Sequence, residues 1–274
     1  MLRSLWTAKT GMDAQQTNLD TISNNLANVS TTAYKRVRPV FEDLLYQNLR
    51  SPGLMEDSNG EYLPTGLQAG NGSRVSATQR INSAGSLLQS QNPLDMAISG
   101  NGFFTVATGN GTAYTRAGNF MRNDKGQIVT ASGNLVMSQS SVGGKAGSLN
   151  SAGIVIPGNA TAVVVGSDGT VSYYGPSTTN PIVAGHIAMA NFVNPAGLST
   201  GGGGLYFETA SSGEPQMGVP SYDGFGAINQ YYTEQSNVNV AEELVSLIAA
   251  QRAYEITAKS VSASDQILQK LGQL

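Results

Sequence analysis

Hydrophobic positions recur at helical spacing at both ends of the chain and alternate with turn residues between them. Near the N-terminus, Leu5, Met12, Leu19 and Leu26 repeat every seven residues, with Ala8, Gln15, Ile22 and Val29 as a second such series between them. Together the two series give the alternating three-four spacing of a coiled-coil seam. No Pro interrupts it, although Gly11 weakens the helix and Gln15 puts a polar group on the seam. The pattern predicts a helix ending near Asn28. Beyond it, Val29, Ser30, Thr31 and Thr32 bring β-branched side chains and hydroxyls that compete for backbone hydrogen bonds.

The C-terminus repeats the design. Val240, Leu247, Tyr254, Val261 and Leu268 are spaced by seven, and Leu244, Ile248, Ala258, Ile267, Leu271 and Leu274 widen the stripe. Asn239 followed by Glu242 is a capping-type start, because the Asn side chain can accept from an orphan amide of the first turn. No Gly or Pro follows until Gly272.

Alone, each helix would leave its stripe in water, and each such side chain gains about 1.5–3 kcal/mol on burial before entropy is subtracted. Pairing the two ends is the simplest solution, yet it leaves apolar surface outside that calls for other copies of the chain. The candidate polymerisation interface is therefore Leu5, Met12, Leu19, Ile22 and Leu26 on the first helix. On the second it is Val240, Leu244, Leu247, Ile248, Tyr254, Val261, Leu268 and Leu271. The alternative is a helical cap folded back on the chain's own β-domain.

The middle of the chain reads as β. Gly102–Val106, Gln127–Thr130 and Ala162–Val165 are apolar or β-branched runs, and Asn123–Gly126 and Ser167–Thr170 are turn signals. Gly143–Gly144 and Gly201–Gly204 predict loops. The expected fold is mixed and discontinuous: N- and C-terminal α-helices forming a coiled-coil layer, with an all-β, sandwich- or barrel-like middle domain. The expected boundaries are an N-terminal helix over 1–32, a connecting region over 33–74, a β-domain over 75–230 and a C-terminal helix over 231–274 pairing with the first. Within the connecting region, Phe41–Tyr46 fits a short helix or an extended piece. The polar stretch 47–66, punctuated by Pro52-Gly53, Asn59-Gly60 and Pro64, fits an extended loop, a hairpin or a disordered linker.

Composition narrows the function. Charged residues make up 12% of the chain, about half the usual ~25%, which suits a surface covered by neighbours. The net charge is −3, and the basic cluster Lys35-Arg36-Val37-Arg38 is short and reads as a local turn, so no nucleic-acid partner is expected. The absence of Cys excludes disulfides, thiolate metal sites and a cysteine nucleophile, and suits an oxidising compartment such as the periplasm. No apolar run reaches about 18 residues, so no membrane insertion is expected. Met1–Gly11 lacks the apolar core of a secretory signal, so any export is expected without a cleaved signal peptide.

No constellation of residues calls for catalysis. The single histidine, His186, lies in a strand-like run without a nucleophile elbow. Gly100-Asn101-Gly102 enters a strand and so lacks the context of a dinucleotide fingerprint. The Asp-containing turns lack a calcium-ligand ladder, and Glu242-Glu243 fit the start of a helix. No catalytic, cofactor-binding or metal-binding residue is expected, and no cofactor.

Two terminal segments carry a family resemblance. Thr10–Gln16 together with Ser23–Lys35 resembles the N-terminal signature of bacterial flagellar rod and hook axial proteins. Ser236–Leu244 and Gln251–Glu255 resemble their C-terminal signature. Gly100–Phe104 and Tyr114–Phe120 also look alike, so the resemblance covers nearly the whole chain. It is closest to the distal rod branch of the family, because Phe41–Gln47 leads into a 47–66 stretch similar to an insert that hook members lack.

The resemblance implies a structural subunit, not an enzyme, that polymerises into a tube whose helical inner layer lines an export channel. The implied partners are other copies of the chain, the proximal rod protein, the hook protein, the basal-body P and L rings and the flagellar type III export apparatus. The implied location is the rod crossing the periplasm, where the tube acts as a drive shaft. Gln47, Pro52, Tyr62 and Pro64 are then the expected stiffening residues of the insert. A proximal rod or hook subunit of the same family is the nearest alternative, and a secreted β-domain adhesin or enzyme is the alternative of another class.

Overall fold

A computed structural model of the chain describes residues 2–51, 65–109, 111–142, 145–150, 152–176 and 180–271. The chain divides into two compact units. One comprises Met1–Ala27, Val37–Arg80 and Asn239–Leu274, and the other Asn28–Arg36 and Ile81–Val238.

Among the described residues the first unit contains two long helices, α1 (Leu2–Ala27) and α2 (Val240–Leu271), and four strands, β1 (Val37–Asp43), β2 (Gln47–Arg50), β3 (Leu67–Ala69) and β4 (Ser73–Arg80). Both helices form where the seven-residue series predict them. In α1 the hydroxyls of Thr7, Thr17 and Thr21 donate to the carbonyls of Arg3, Asp13 and Thr17 at 3.0, 3.0 and 2.8 Å, which satisfies these polar groups inside a helix. At the start of α2, Asn239 Oδ1 accepts from the Ala241 amide at 3.1 Å, and Glu242 and Glu243 occupy the first turn, where acidic groups complement the helix dipole.

The connecting strands are antiparallel. β1 pairs with β4 from Val37 opposite Arg80 to Asp43 opposite Ser73, with a bulge between Val40 and Phe41. Of the two readings of Phe41–Tyr46, the extended one holds, because Phe41 to Asp43 are paired in this ladder. β2 pairs with β3, so Gln47 faces Ala69. Gly72 has φ +107, and a Cβ there would come within 2.0 Å of Thr10 Oγ1, so this position requires glycine.

The second unit is β-rich and antiparallel. Among the described residues its largest sheet has nine strands and includes Phe103–Thr108, Gly111–Thr115, Met189–Asn191 and Leu205–Phe207; a five-stranded sheet includes Ala162–Val165, Thr170–Tyr174 and Ile182–Ile187. One apolar cluster draws on both sheets, with Phe104, Val106, Ile128, Val171, Ile187 and Met189 all buried. A second cluster contains Phe103, Tyr114, Phe192 and Tyr206, where the Tyr114 and Phe192 rings meet edge to face at 4.8 Å. Phe103 and Phe104 are neighbours on one strand and point to opposite faces, so each serves a different cluster. Both faces of that strand are covered, which is why Phe103–Val106 shows no polar alternation.

Two local expectations change. Gly201 and Gly202 do not lie in a loop: they end the strand Ser199–Gly202, with Gly202 opposite Leu205, and Gly203 and Gly204 make the tight reversal at φ +59 and +74. Glycine supplies these backbone angles without steric cost, so a glycine run can close a hairpin. Lys35–Arg38 is not a surface turn: Lys35 is buried and Val37 and Arg38 lie in β1. The expected loop at Gly143–Gly144 lies outside the described residues.

Candidate assembly interface

The first unit exposes a large part of its apolar helical surface. On α2, Val240, Leu244 and Ile248 follow one another at four-residue spacing and are 42%, 42% and 52% exposed. Val245 and Ile256 are more exposed still, at 68% each. Tyr254 and Ile267 are also exposed, whereas Leu247 and Val261 are half-buried. Leu268 and Leu271 lie on the last turn and a half of the same helix. On α1, Ile22 is buried and Leu5, Met12, Leu19 and Leu26 are half-buried.

The two helices pack against each other. Ala14 and Asn25 on α1 and Glu243 and Ala250 on α2 are buried. Gly11 sits so close to α2 that a Cβ there would be 3.6 Å from Thr257 Cγ2. Glu243, Ala250 and Thr257 are themselves seven apart, so α2 carries a second seam of one acidic and two smaller residues beside its large apolar one. The second seam serves the chain's own helix pair. The larger side chains at Val240, Leu244 and Ile248 stay in water.

Polar side chains lock this arrangement. Asn25 Oδ1 accepts from the Val37 amide at 3.0 Å, while its Nδ2 donates to the Val37 carbonyl at 2.8 Å and to Glu243 Oε2 at 3.3 Å. One side chain thereby ties α1, β1 and α2. Near the N-terminus of α1, a cavity of about 990 Å³ is lined by Arg3, Trp6, Leu44, Leu45 and Arg74. Trp6, Leu45, Tyr46, Leu49 and Leu67 are exposed in this region. Gln47 begins β2, is exposed, and accepts from Arg3 Nη2 at 2.8 Å. Pro52, Tyr62 and Pro64 of the expected stiffening stretch lie outside the described residues.

The second unit is held by a buried ionic cluster. Glu234 is 1% exposed, its Oε1 lies 2.6 Å from Lys35 Nζ, and its Oε2 lies 2.9 Å from Arg116 Nε. Its Oε1 also accepts from the Gly85 amide at 2.9 Å. Burial alone would raise the Glu234 carboxyl, but the charges of Arg116 and Lys35 hold it below the ordinary carboxylate range. Burial pushes the Lys35 ammonium down against the pull of Glu234. Asn237 joins three chain segments, accepting from the Arg36 amide at 2.7 Å and donating to the Ile81 carbonyl at 2.9 Å. Sequence reading did not single out Asn25, Lys35, Arg116, Glu234, Asn237 or Glu243 as structural anchors. Asn25, Lys35, Asn237 and Glu243 lie inside the quoted signature segments and Arg116 inside the similar stretch Tyr114–Phe120, which is the one signal that could have found them.

His186 sits in the strand Ile182–Ile187 with Nδ1 3.0 Å from Thr170 Oγ1, and that hydroxyl lies 2.8 Å from Asp168 Oδ2. The threonine hydroxyl donates to the carboxylate of its own turn, so this contact stabilises the Gly166–Thr170 reversal. Among the described residues there is no group of three or more His, Cys, Asp or Glu able to hold a metal, and no helix long and apolar enough to cross a membrane.

Comparison with known proteins agrees along the chain. A family model described as "Flagella basal body rod protein" matches residues 5–35, and one described as "Flagellar basal body rod FlgEFG protein C-terminal" matches residues 229–274. A third, "Flagellar hook protein FlgE/F/G D1 domain", matches residues 97–173. The flagellar basal-body rod protein FlgG of Buchnera aphidicola subsp. Acyrthosiphon pisum is 47% identical over 275 residues, covering 100% of both chains. The FlgG protein of Caulobacter vibrioides is 43% identical, covering 100% of this chain and 99% of its own. The flagellar hook protein FlgE of Borreliella burgdorferi is a more distant relative, 22% identical over an alignment of 442 residues.

Proposed function

The chain belongs to the family of flagellar basal-body rod proteins, and from that premise we propose that it is a structural subunit whose helices polymerise with those of its siblings to build the rod and carry torque. The observation that carries this reading is the pair of seams on α2. One is used within the chain, and the large apolar one at Val240, Leu244 and Ile248 faces water, 42–52% exposed. Covering each such side chain contributes about 1–2 kcal/mol, and the gain repeats at every subunit of a polymer.

In this reading the helices make a coiled-coil inner layer lining an export channel, and the β-rich unit, a sandwich-like domain, faces outward. The subunit occupies the distal rod, crossing the periplasm between the proximal rod and the hook and turning within the P and L rings. It reaches that position through the flagellar type III export apparatus without a cleaved signal peptide. The 47–66 stretch, beginning at Gln47 and including Pro52, Tyr62 and Pro64, stiffens the tube. The identity to FlgG proteins, roughly double that to the hook protein, favours rod over hook.

The test is Ile248→Asp. Its side chain is 52% exposed, so the isolated subunit should fold as the parent does, while the charge should stop filament growth seen by sedimentation and electron microscopy. Filaments of normal length and yield from this variant would overturn the reading. Deleting 47–66 should give a more flexible polymer, and a deletion polymer as straight as the parent would remove the stiffening role.

A further inference from the structure

The Lys35–Glu234–Arg116 cluster holds two cations and one anion, and a cavity of about 400 Å³ opens beside it in the second unit. Lys35 and Arg116 both line that cavity, and among the described residues no acidic side chain does. The remaining polar wall includes Asn82, Ser83, Asn101 and Asn191. Both cations are more than nine-tenths buried, at 3% and 5% exposure.

Their donors are not all used. Arg116 bonds Glu234 through Nε and the carbonyls of Ile98, Gly100 and Gly102 through its Nη atoms, which engages four of the five N–H groups of a guanidinium. Lys35 bonds Glu234 and the Ser83 carbonyl, two of the three donors of an ammonium. Each side chain keeps one donor without a partner among the described residues. An excess positive charge in a poorly solvated place is unfavourable unless an anion balances it. Burial already presses on Lys35 more strongly than Glu234 relieves.

We propose that this cavity is a binding site for a carboxylate group, held by the spare donors of Lys35 and Arg116 and bordered by the Asn82 and Asn101 amides. A carboxylate suits this donor set because it is anionic and each of its two oxygens can accept from a cationic donor. It comes either from a small free acid or from an Asp or Glu side chain of a second copy of the chain. The site uses none of the residues of the helical interface.

The test compares melting of the full chain in sodium acetate and in sodium chloride at equal ionic strength. Ala84 and Asn101 both line the cavity, so Ala84→Asp and, independently, Asn101→Asp each supply a resident carboxylate without touching the cluster. Acetate should raise the parent's melting temperature by about 2–4 °C more than chloride near saturation. Whichever variant folds should lose that increment. An increment of the same size in parent and variants is a general salt effect and overturns the proposal, as does no increment together with no acetate effect on assembly. Assembly assigns the source: if a second copy provides the group, excess acetate slows filament growth relative to chloride and the folded variants fail to assemble. If a free acid provides it, growth is the same in both salts while the melting increment remains.

Discussion

The Asn25 side-chain amide donates to the Glu243 carboxylate at 3.3 Å, although 218 positions separate the two residues in sequence. The same amide group clamps both backbone groups of Val37. The first unit, made from three separate stretches of chain, is therefore closed by one buried side chain.

Asn25→Ala should cost about 2–4 kcal/mol, because it removes three hydrogen bonds and strands buried partners. Trp6 is the only tryptophan and lies on α1, so its fluorescence in a urea titration reports this unit. Asn25→Asp should be worse than Ala near pH 7, since it sets a second carboxylate against Glu243.

Glu234 should make the second unit sensitive to acid. Its carboxyl is held below the ordinary value of 4.5, so its contribution is complete above that pH and is lost as the pH falls through the lower folded value. Glu234→Gln should cost about 3–5 kcal/mol at neutral pH, because it leaves Lys35 and Arg116 without their counter-charge. It should also flatten stability against pH below 4.5, which thermal melts across an acid series would measure.

Tyr114 should set the alkaline limit. Burial first, and then the neighbouring Glu208 carboxylate, push its hydroxyl from 10.0 up to about 12. The folded state keeps this proton longer than the unfolded chain does, so the stabilisation is complete below pH 10.0 and disappears as the pH rises towards about 12. Melting curves of the parent should fall across that window, and those of Tyr114→Phe should fall less.

Charge substitutions on the two helices should separate folding from assembly. Leu19 and Val261 are half-buried, so Leu19→Asp and Val261→Asp should lower subunit stability by about 1–3 kcal/mol as well as abolish polymerisation. Leu244→Asp, on the exposed row, should stop polymerisation and change subunit stability by less than about 0.5 kcal/mol. Circular dichroism melts and sedimentation on the same samples check both halves.

Several elements were legible because their causes are local. The seven-residue series and Asn239 located α2, which runs Val240–Leu271. The run Ala162–Val165 is a strand with the same ends, and the turn at Asn123–Gly126 closes through a 3.0 Å hydrogen bond from Gly126 to Asn123. Glycine and asparagine announce such turns through their own backbone preferences. The Gly201–Gly204 run shows the limit, since the same glycines that permit a loop also permit a tight hairpin, and only pairing with Leu205–Phe207 selects between them.

By itself the sequence determined that two amphipathic helices flank a β-rich middle, because periodicity and turn chemistry act over a few residues. The tertiary structure decided which seam the chain keeps for itself. Ala14, Ile22, Asn25, Glu243 and Ala250 are covered, and Val240, Leu244 and Ile248 remain exposed. It also decided that Lys35 and Arg116, 199 and 118 positions from Glu234, share one carboxylate. Pairings over such separations depend on the path of the whole chain, and no local pattern encodes them.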